Sequence, residues 1–228
     1  MNGVLHYVET NRESCKQAVN SINSCLDNDW SVISLEGYTP STYKAHPTGQ
    51  RMSMIGGRLY GFYKEKQLRR AETKRACAMN HVRFWETVIL EDEPMVFLEH
   101  DAIAIDPPQE WKFEHVLILN AEHAFDFGAL KGKFGNWKLP KVKEVSELPY
   151  DYPLWCKVKG SPYFGAKMIP GTAAYAITPE GARLMLDAVD RLGLEQSDYM
   201  INEQNVTLEY ITPSPFKFAD KNLRTSHG

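Results

Sequence analysis

The chain has 228 residues, 43% hydrophobic and 24% charged, which fits a globular protein able to bury roughly 70% of its unfolded surface. A net charge of −3 and an isoelectric point of about 6.2 exclude broad electrostatic affinity for nucleic acid. No apolar run approaches the ~20 residues that cross a bilayer, so no integral membrane segment is expected.

Cys15, Cys25, Cys77 and Cys156 form no CxxC pair, which excludes a zinc knuckle or a thioredoxin motif. Three of them sit among apolar residues of expected helices, where free cysteine acts as a small core residue. A reduced, cytoplasmic setting fits them. It also fits an N-terminus, MNGVLHYVETN, that lacks the basic and apolar regions of a signal peptide. The length is read as one domain over residues 1–228.

In chain order, Val4 to Val8 reads as a strand. Thr10 to Glu13 follows as a capping box, and Cys15, Ala18, Val19, Ile22, Cys25 and Leu26 recur at helical spacing. Trp30 to Leu35 is the next strand, giving a β-α-β opening with room for a parallel crossover. Residues 36 to 66 are loop-like and end in a basic run, Lys64 to Arg75, read as a solvated helix face or an anion-facing patch. A helix is expected from about Arg70 to Leu90, with Ala78, Val82, Trp85, Val88 and Ile89 on its apolar side. Pro94 bars its continuation. Met95 to Leu98 and Phe113 to Leu119 are buried-strand candidates. Residues 121 to 170 show little periodicity and are rich in aromatic residues and lysine; a loop of that length inside a domain is usually functional. Pro170 to Ile177 is a strand, and Thr178 caps a helix that takes Pro179 first and stops at Gly193. Val206 to Ile211 is the last strand. Alternating strands and helices predict an α/β fold with a mixed, mostly parallel sheet flanked by helices.

The strand at 95 delivers Glu99-His100-Asp101, and ligands of open α/β sheets bind beyond the carboxyl ends of strands. On an extended backbone Glu99 and Asp101 face one side and His100 the other. Two carboxylates on one side suit a hard divalent ion that shares its other positions with water and phosphate oxygens. The plain alternative is a solvated strand end.

The block Cys77-Ala78-Met79-Asn80-His81, Trp85 and LEHDAIAI resembles glycosyltransferase family 25, the lipooligosaccharide galactosyltransferases and their collagen-modifying relatives. Gly171 to Ile177 (GTAAYAI) is similar to that family's G-T-x-x-Y-x-I strand. The resemblance implies a GT-A-like (Rossmann-like) fold, a nucleotide-sugar donor of UDP type and a glycan acceptor. It implies donor contacts at Thr10, Arg12, His81, Glu99, His100 and Thr172. It also implies a manganese or magnesium ion on Glu99, His100 and Asp101, with Asp101 and Asp198 catalytic. His100 stands where the family carries aspartate, and Asn80 where it carries serine. Manganese tolerates imidazole, whereas magnesium prefers oxygen.

Two other readings stay open. Glu122, His123 and Asp126 with His100 and Asp101 would make a metal-dependent phosphate or nucleotide hydrolase. Alternatively, Phe125, Phe127, Phe134, Trp137, Trp155 and Tyr163 would line a sugar- or nucleotide-binding module without activity.

Overall fold

Short apolar runs alternating with amphipathic helices give the expected mixed α/β architecture. The computed structural model describes residues 1–50, 65–126, 133–135, 137–157, 159 and 161–219, without the side chains of 65–71. Phe127 and residues 51–64 of the 36-to-66 loop expectation lie outside the described residues.

β1 (Asn2–Tyr7), α1 (Arg12–Asp27) and β2 (Val32–Glu36) form the opening crossover, with β1 and β2 parallel. α2 (Glu65–Glu91) begins some five residues before the sequence reading and feeds β3 (Met95–Glu99), which lies parallel to β1 on its other side. The chain then adds β4 (Ala102–Ala104), β5 (Val116–Ile118), α3 (Ala121–Asp126), β6 (Ser146–Glu147) and β7 (Ala174–Ile177). α4 (Pro179–Leu192), α5 (Ser197–Met200), β8 (Leu208–Tyr210) and β9 (Phe216–Phe218) complete it.

Seven strands form one sheet in the order β2-β1-β3-β7-β5-β8-β6. β7 runs antiparallel to both β3 and β5, and β6 antiparallel to β8. β4 and β9 make a separate antiparallel pair. All five parallel strands therefore end at one edge, and β7 begins there.

Side-chain alternation divides the core between the two faces of this sheet. Val4, Met95, Phe97, Val116, Ile118, Tyr175 and Ile177 meet α2 and α4 through Val82, Phe84, Trp85, Val88, Ala182 and Met185. Leu5, Val96, Leu98, Leu117, Leu119, Ala174 and Ala176 meet α1 through Ala18 and Cys25. Thr178 caps α4 by accepting from the Gly181 N–H, Pro179 takes its first turn, and Gly193 closes it at φ 86°, as the sequence predicts.

α1 departs from its pattern. Its cap is Asn11, whose carboxamide oxygen accepts from the Glu13 and Ser14 N–H groups, so Thr10 is not the cap. Val19 and Leu26 are 55% and 61% exposed, while Ser14, Gln17 and Ser21 are buried. At Ser21 and the residues after it, the reason is polar fastening to β4. The Ser21 hydroxyl donates to the Ala102 carbonyl, the Ser24 hydroxyl accepts from the Ala104 N–H, and the Asn28 amide donates to the Ala104 carbonyl.

Between α2 and the sheet, Trp85 Nε1 donates to the Tyr175 hydroxyl at 3.0 Å, and the His81 Nδ1 lies 2.9 Å from the same oxygen. His81 stacks on Phe97 with centroids 3.9 Å apart and is 1% exposed. Its burial holds its pKa well below the usual value. His81, expected among the donor contacts, is therefore a core residue at this position.

Tyr175→Phe removes one oxygen that serves both partners and leaves buried polar atoms unpaired. It is expected to cost about 1–3 kcal/mol in urea unfolding, with a residual activity set by the fraction folded.

Candidate active site

The site lies where β3 stops and β7 starts. The Glu99 N–H donates to the Ala173 carbonyl at 2.9 Å, continuing the pairing of β3 with β7. This brings Thr172 beside Glu99, and its hydroxyl donates to Glu99 Oε1 at 2.7 Å. Gly171 allows the entry by holding φ at +113°, a conformation that residues with a Cβ avoid. Asp198 sits at the start of α5, where Gln196 Nε2 donates to its Oδ2 at 2.9 Å. The Thr172 hydroxyl also lies close enough to Asp198 to favour its ionised form, as does the charge of Lys74. Glu99, Thr172 and Asp198, far apart in sequence, are thus brought together.

His100 and Asp101 differ from the extended-strand expectation. The strand ends at Glu99, and both residues occupy a turn before β4. The alternation that put Glu99 and Asp101 on one side does not apply across that turn. Proximity brings them together instead: the charge of Asp101 helps to raise the Glu99 carboxyl. Asp101 Oδ1 is buried and has no partner among the described residues. Burial lowers the His100 pKa, opposed by the charges of Asp101 and Glu13, and its Nε2 is also buried without a partner among them.

No three His, Cys, Asp or Glu side chains among the described residues converge as a metal ligand set. His100 therefore does not complete a triad with Glu99 and Asp101. The two-histidine cluster of the hydrolase reading does not assemble either. Glu122 is engaged with Ser214, its N–H donating to the serine hydroxyl and its Oε2 accepting from the Ser214 N–H. Thr10 and Arg12 are exposed at the start of α1.

Burial is the main cause that lifts Glu99 to about 8, followed by the charge of Asp101; the Thr172 hydrogen bond opposes, and Asp198 adds to the rise. Asp198 is raised by burial as well. Glu99, desolvated and within reach of the charges of Asp101 and Asp198, is a site that a proton or a nearby cation relieves.

Several residues escaped the sequence reading. Cys77 is exposed, not a core cysteine, yet its surroundings desolvate it. That desolvation, with the charges of Glu99 and Asp198, pushes its thiol up to about 12. Lys74, Cys77 and His81 follow one another at helical spacing toward the sheet edge, a signal the sequence did carry. The Asn80 carboxamide oxygen accepts from the Tyr38 N–H at 2.6 Å, tying α2 to the loop after β2. Gly37 fits there because a Cβ would meet Asn80 Nδ2 at 3.0 Å. His6 pairs in register with Glu99. Asn120, two residues past the Ile118–Tyr175 pair, falls opposite Ala173. Neither ring nitrogen of His6 nor either amide atom of Asn120 has a partner among the described residues. Burial, aided by the charge of Arg83, holds His6 near pKa 3.

The aromatic residues of the 121-to-170 region divide between packing and surface. Phe125, Phe134, Trp137 and Tyr152 form one interlocked cluster, and Tyr163 is fully buried, while Trp155 is 38% exposed.

The description of glycosyltransferase family 25 (LPS biosynthesis protein) matches residues 42–201. The chain belongs to glycosyltransferase family 25. It is a glycosyltransferase whose sheet edge carries the acids described above. No curated protein matches the sequence. Among solved structures it is similar to the crystal structure of mouse xyloside xylosyltransferase 1, apo form. The identity is 9% over 88% of this chain and 81% of that one, with a TM-score of 0.38. Among the described residues no helix is long and apolar enough to cross a membrane.

The raised Glu99 carboxyl has a stability consequence. In the unfolded chain it ionises near 4.5, and in the folded protein near 8. The folded state thus holds the extra proton between those values, and stability falls as pH rises through that window. Glu99→Gln keeps an acceptor for Thr172 and removes the penalty. Thermal melts are expected to show the variant more stable than the parent at pH 8, with the gap closing toward pH 5.

Proposed function

We propose that this family 25 glycosyltransferase moves a hexose, galactose by analogy with the family's galactosyltransferases, from a UDP-type nucleotide sugar to a hydroxyl of a glycan acceptor. The observation that carries the reading is the array of Glu99, Thr172 and Asp198 at the carboxyl edge, with the unpartnered Asp101 oxygen beside it. We read the chain as a single domain working in the cytoplasm.

A divalent ion, manganese or magnesium, fits this donor set. Glu99 and Asp101 are hard oxygen ligands, and Asp101 Oδ1 has a lone pair no described residue uses. These two residues would hold the ion, leaving its other positions to water and diphosphate oxygens. Bound there, it would supply neutralisation of the charge gathering on the leaving diphosphate. His100, kept uncharged by burial, is left out of the ligand set in this reading.

The chain's own groups do the rest. Thr172 fixes the Glu99 carboxylate by its hydrogen bond. Arg12, exposed at the first turn of α1, presents a planar guanidinium suited to paired phosphate oxygens. Asp198 accepts the proton of the attacking hydroxyl. Its raised pKa makes it a stronger base than an exposed aspartate, and Gln196 holds its orientation.

The test is release of nucleoside diphosphate from a panel of nucleotide sugars with manganese present. UDP-galactose is expected to turn over. Asp198→Asn is expected to lower kcat by roughly 10²–10⁴ while thermal stabilisation by UDP with manganese persists. Asp101→Ala is expected to lose both turnover and the manganese-dependent part of that stabilisation. Stabilisation without turnover in the parent protein would replace the transferase reading with a binding module, and no response to any nucleotide would refute the site.

A further inference from the structure

A cavity of about 360 Å³ is lined among others by Lys133, Phe134, Trp155, Lys157, Met168 and Tyr199. Its volume falls in the ~300–1,000 Å³ range of small-molecule sites. We propose that this cavity is the acceptor subsite and that it takes an anionic sugar, one bearing a carboxylate or a phosphate. The word acceptor rests on the transferase reading; the ligand chemistry does not.

Three features carry the assignment. Phe134, Trp155 and Tyr199 give aromatic surface, on which the apolar face of a pyranose stacks. Trp155 remains 38% exposed, and Phe164 braces it edge-on with centroids 6.2 Å apart. Next, the charge is one-sided. Lys133 and Lys157 line the cavity, with no Asp or Glu among the described lining residues, in a chain whose net charge is −3. Lys157 Nζ sits 4.8 Å from the Trp155 ring centroid, so a ring stacked on the indole meets an ammonium at its rim. Two acids of the surrounding segments are committed elsewhere: Glu203 pairs with Lys167 at 3.7 Å, and Asp151 accepts from Trp137 Nε1 at 3.2 Å.

The last feature is position. Tyr199 follows Asp198 in the chain, with Cα atoms about 3.8 Å apart, on the one-turn helix that carries the proposed base. The two side chains sense each other, since burial, then the charges of Cys156 and Asp198, raise the Tyr199 phenol. A sugar seated against Tyr199 is one residue along the chain from the group that is to take its hydroxyl proton. A carboxylate or phosphate on that sugar is held by the lysines, away from the acids at Glu99 and Asp101.

Calorimetric titration of the full chain with three matched trisaccharides tests the proposal: one ending in glucuronate, one in glucose 6-phosphate and one in glucose. At least one anionic probe is expected to bind about tenfold more tightly than the neutral one, as two partly exposed charge contacts provide. Comparison of the two anionic probes tells carboxylate from phosphate. Lys133→Gln/Lys157→Gln is expected to abolish the preference, and Trp155→Ala to weaken all binding. Equal affinities for all three probes, or a preference that survives the lysine changes, would overturn it. UDP released from UDP-galactose by the unsubstituted protein without acceptor, measured in parallel, reports on the transferase reading alone. A lysine-dependent preference without UDP release therefore keeps the cavity and removes the UDP-galactose reading of the donor. UDP release without a preference does the reverse.

Discussion

The pairing of Phe97 with Tyr175 sets where everything at the sheet edge falls. β7 runs against its neighbours, so its first residues arrive where β3 and β5 end. Two steps beyond that pair, Ala173 receives the Glu99 N–H and Thr172 meets the Glu99 carboxylate. A slip of one residue would turn Tyr175 to the opposite face. It would then lose Trp85 and His81, and Glu99 would lose its partner. The hydroxyl of Tyr175, shared by two buried donors or acceptors on α2, is what makes such a slip costly. Register, core packing and site geometry are in this sense one constraint.

Electrostatics follows from that placement. The row across the edge, His6, Glu99, Ala173 and Asn120, is polar on the face that elsewhere carries Val4, Phe97, Tyr175 and Ile118. Buried polar atoms without partners are costly, and folds retain them where a ligand or an ordered water completes them. The concentration of such atoms at one end of an otherwise apolar layer separates this edge from the rest of the sheet.

How much of this was legible in the sequence depends on whether the signal was local. The α4 boundaries are written in Thr178, Pro179 and Gly193, because capping and turn chemistry involve neighbours only. The stripe Ala78, Val82, Trp85 and Val88 survives because helical spacing records burial directly. The direction of β7 left no trace, since AYAI reads the same in a parallel or an antiparallel strand. α1 misled through its composition: Ser21, Ser24 and Asn28 bond to the backbone of β4, which inverts the usual meaning of serine on a helix face. The turn at His100 and Asp101 was hidden by the apolar residues after it, which form a second short strand and do not continue the first. Cys77 read as core because of its apolar helix neighbours, whereas its exposure follows from where α2 lies in the fold. Glu99 emerged as a site residue from its place at a strand end and Thr172 from resemblance, while the hydrogen bond that joins them is a product of the fold.

The turn itself is held from several directions. Before it, Glu99 is bonded to Ala173; within it, the Asp101 carbonyl accepts from the Ala219 N–H at 2.8 Å; after it, Ala102 and Ala104 are fastened to α1. A segment so restrained has little conformational entropy left to lose. A ligand arriving there spends its binding energy on stripping water from charged groups, with almost none consumed in ordering backbone. Association at this edge is therefore governed by hydration, and its temperature dependence should carry the mark of dehydrated carboxylates without the large heat-capacity change of a folding loop.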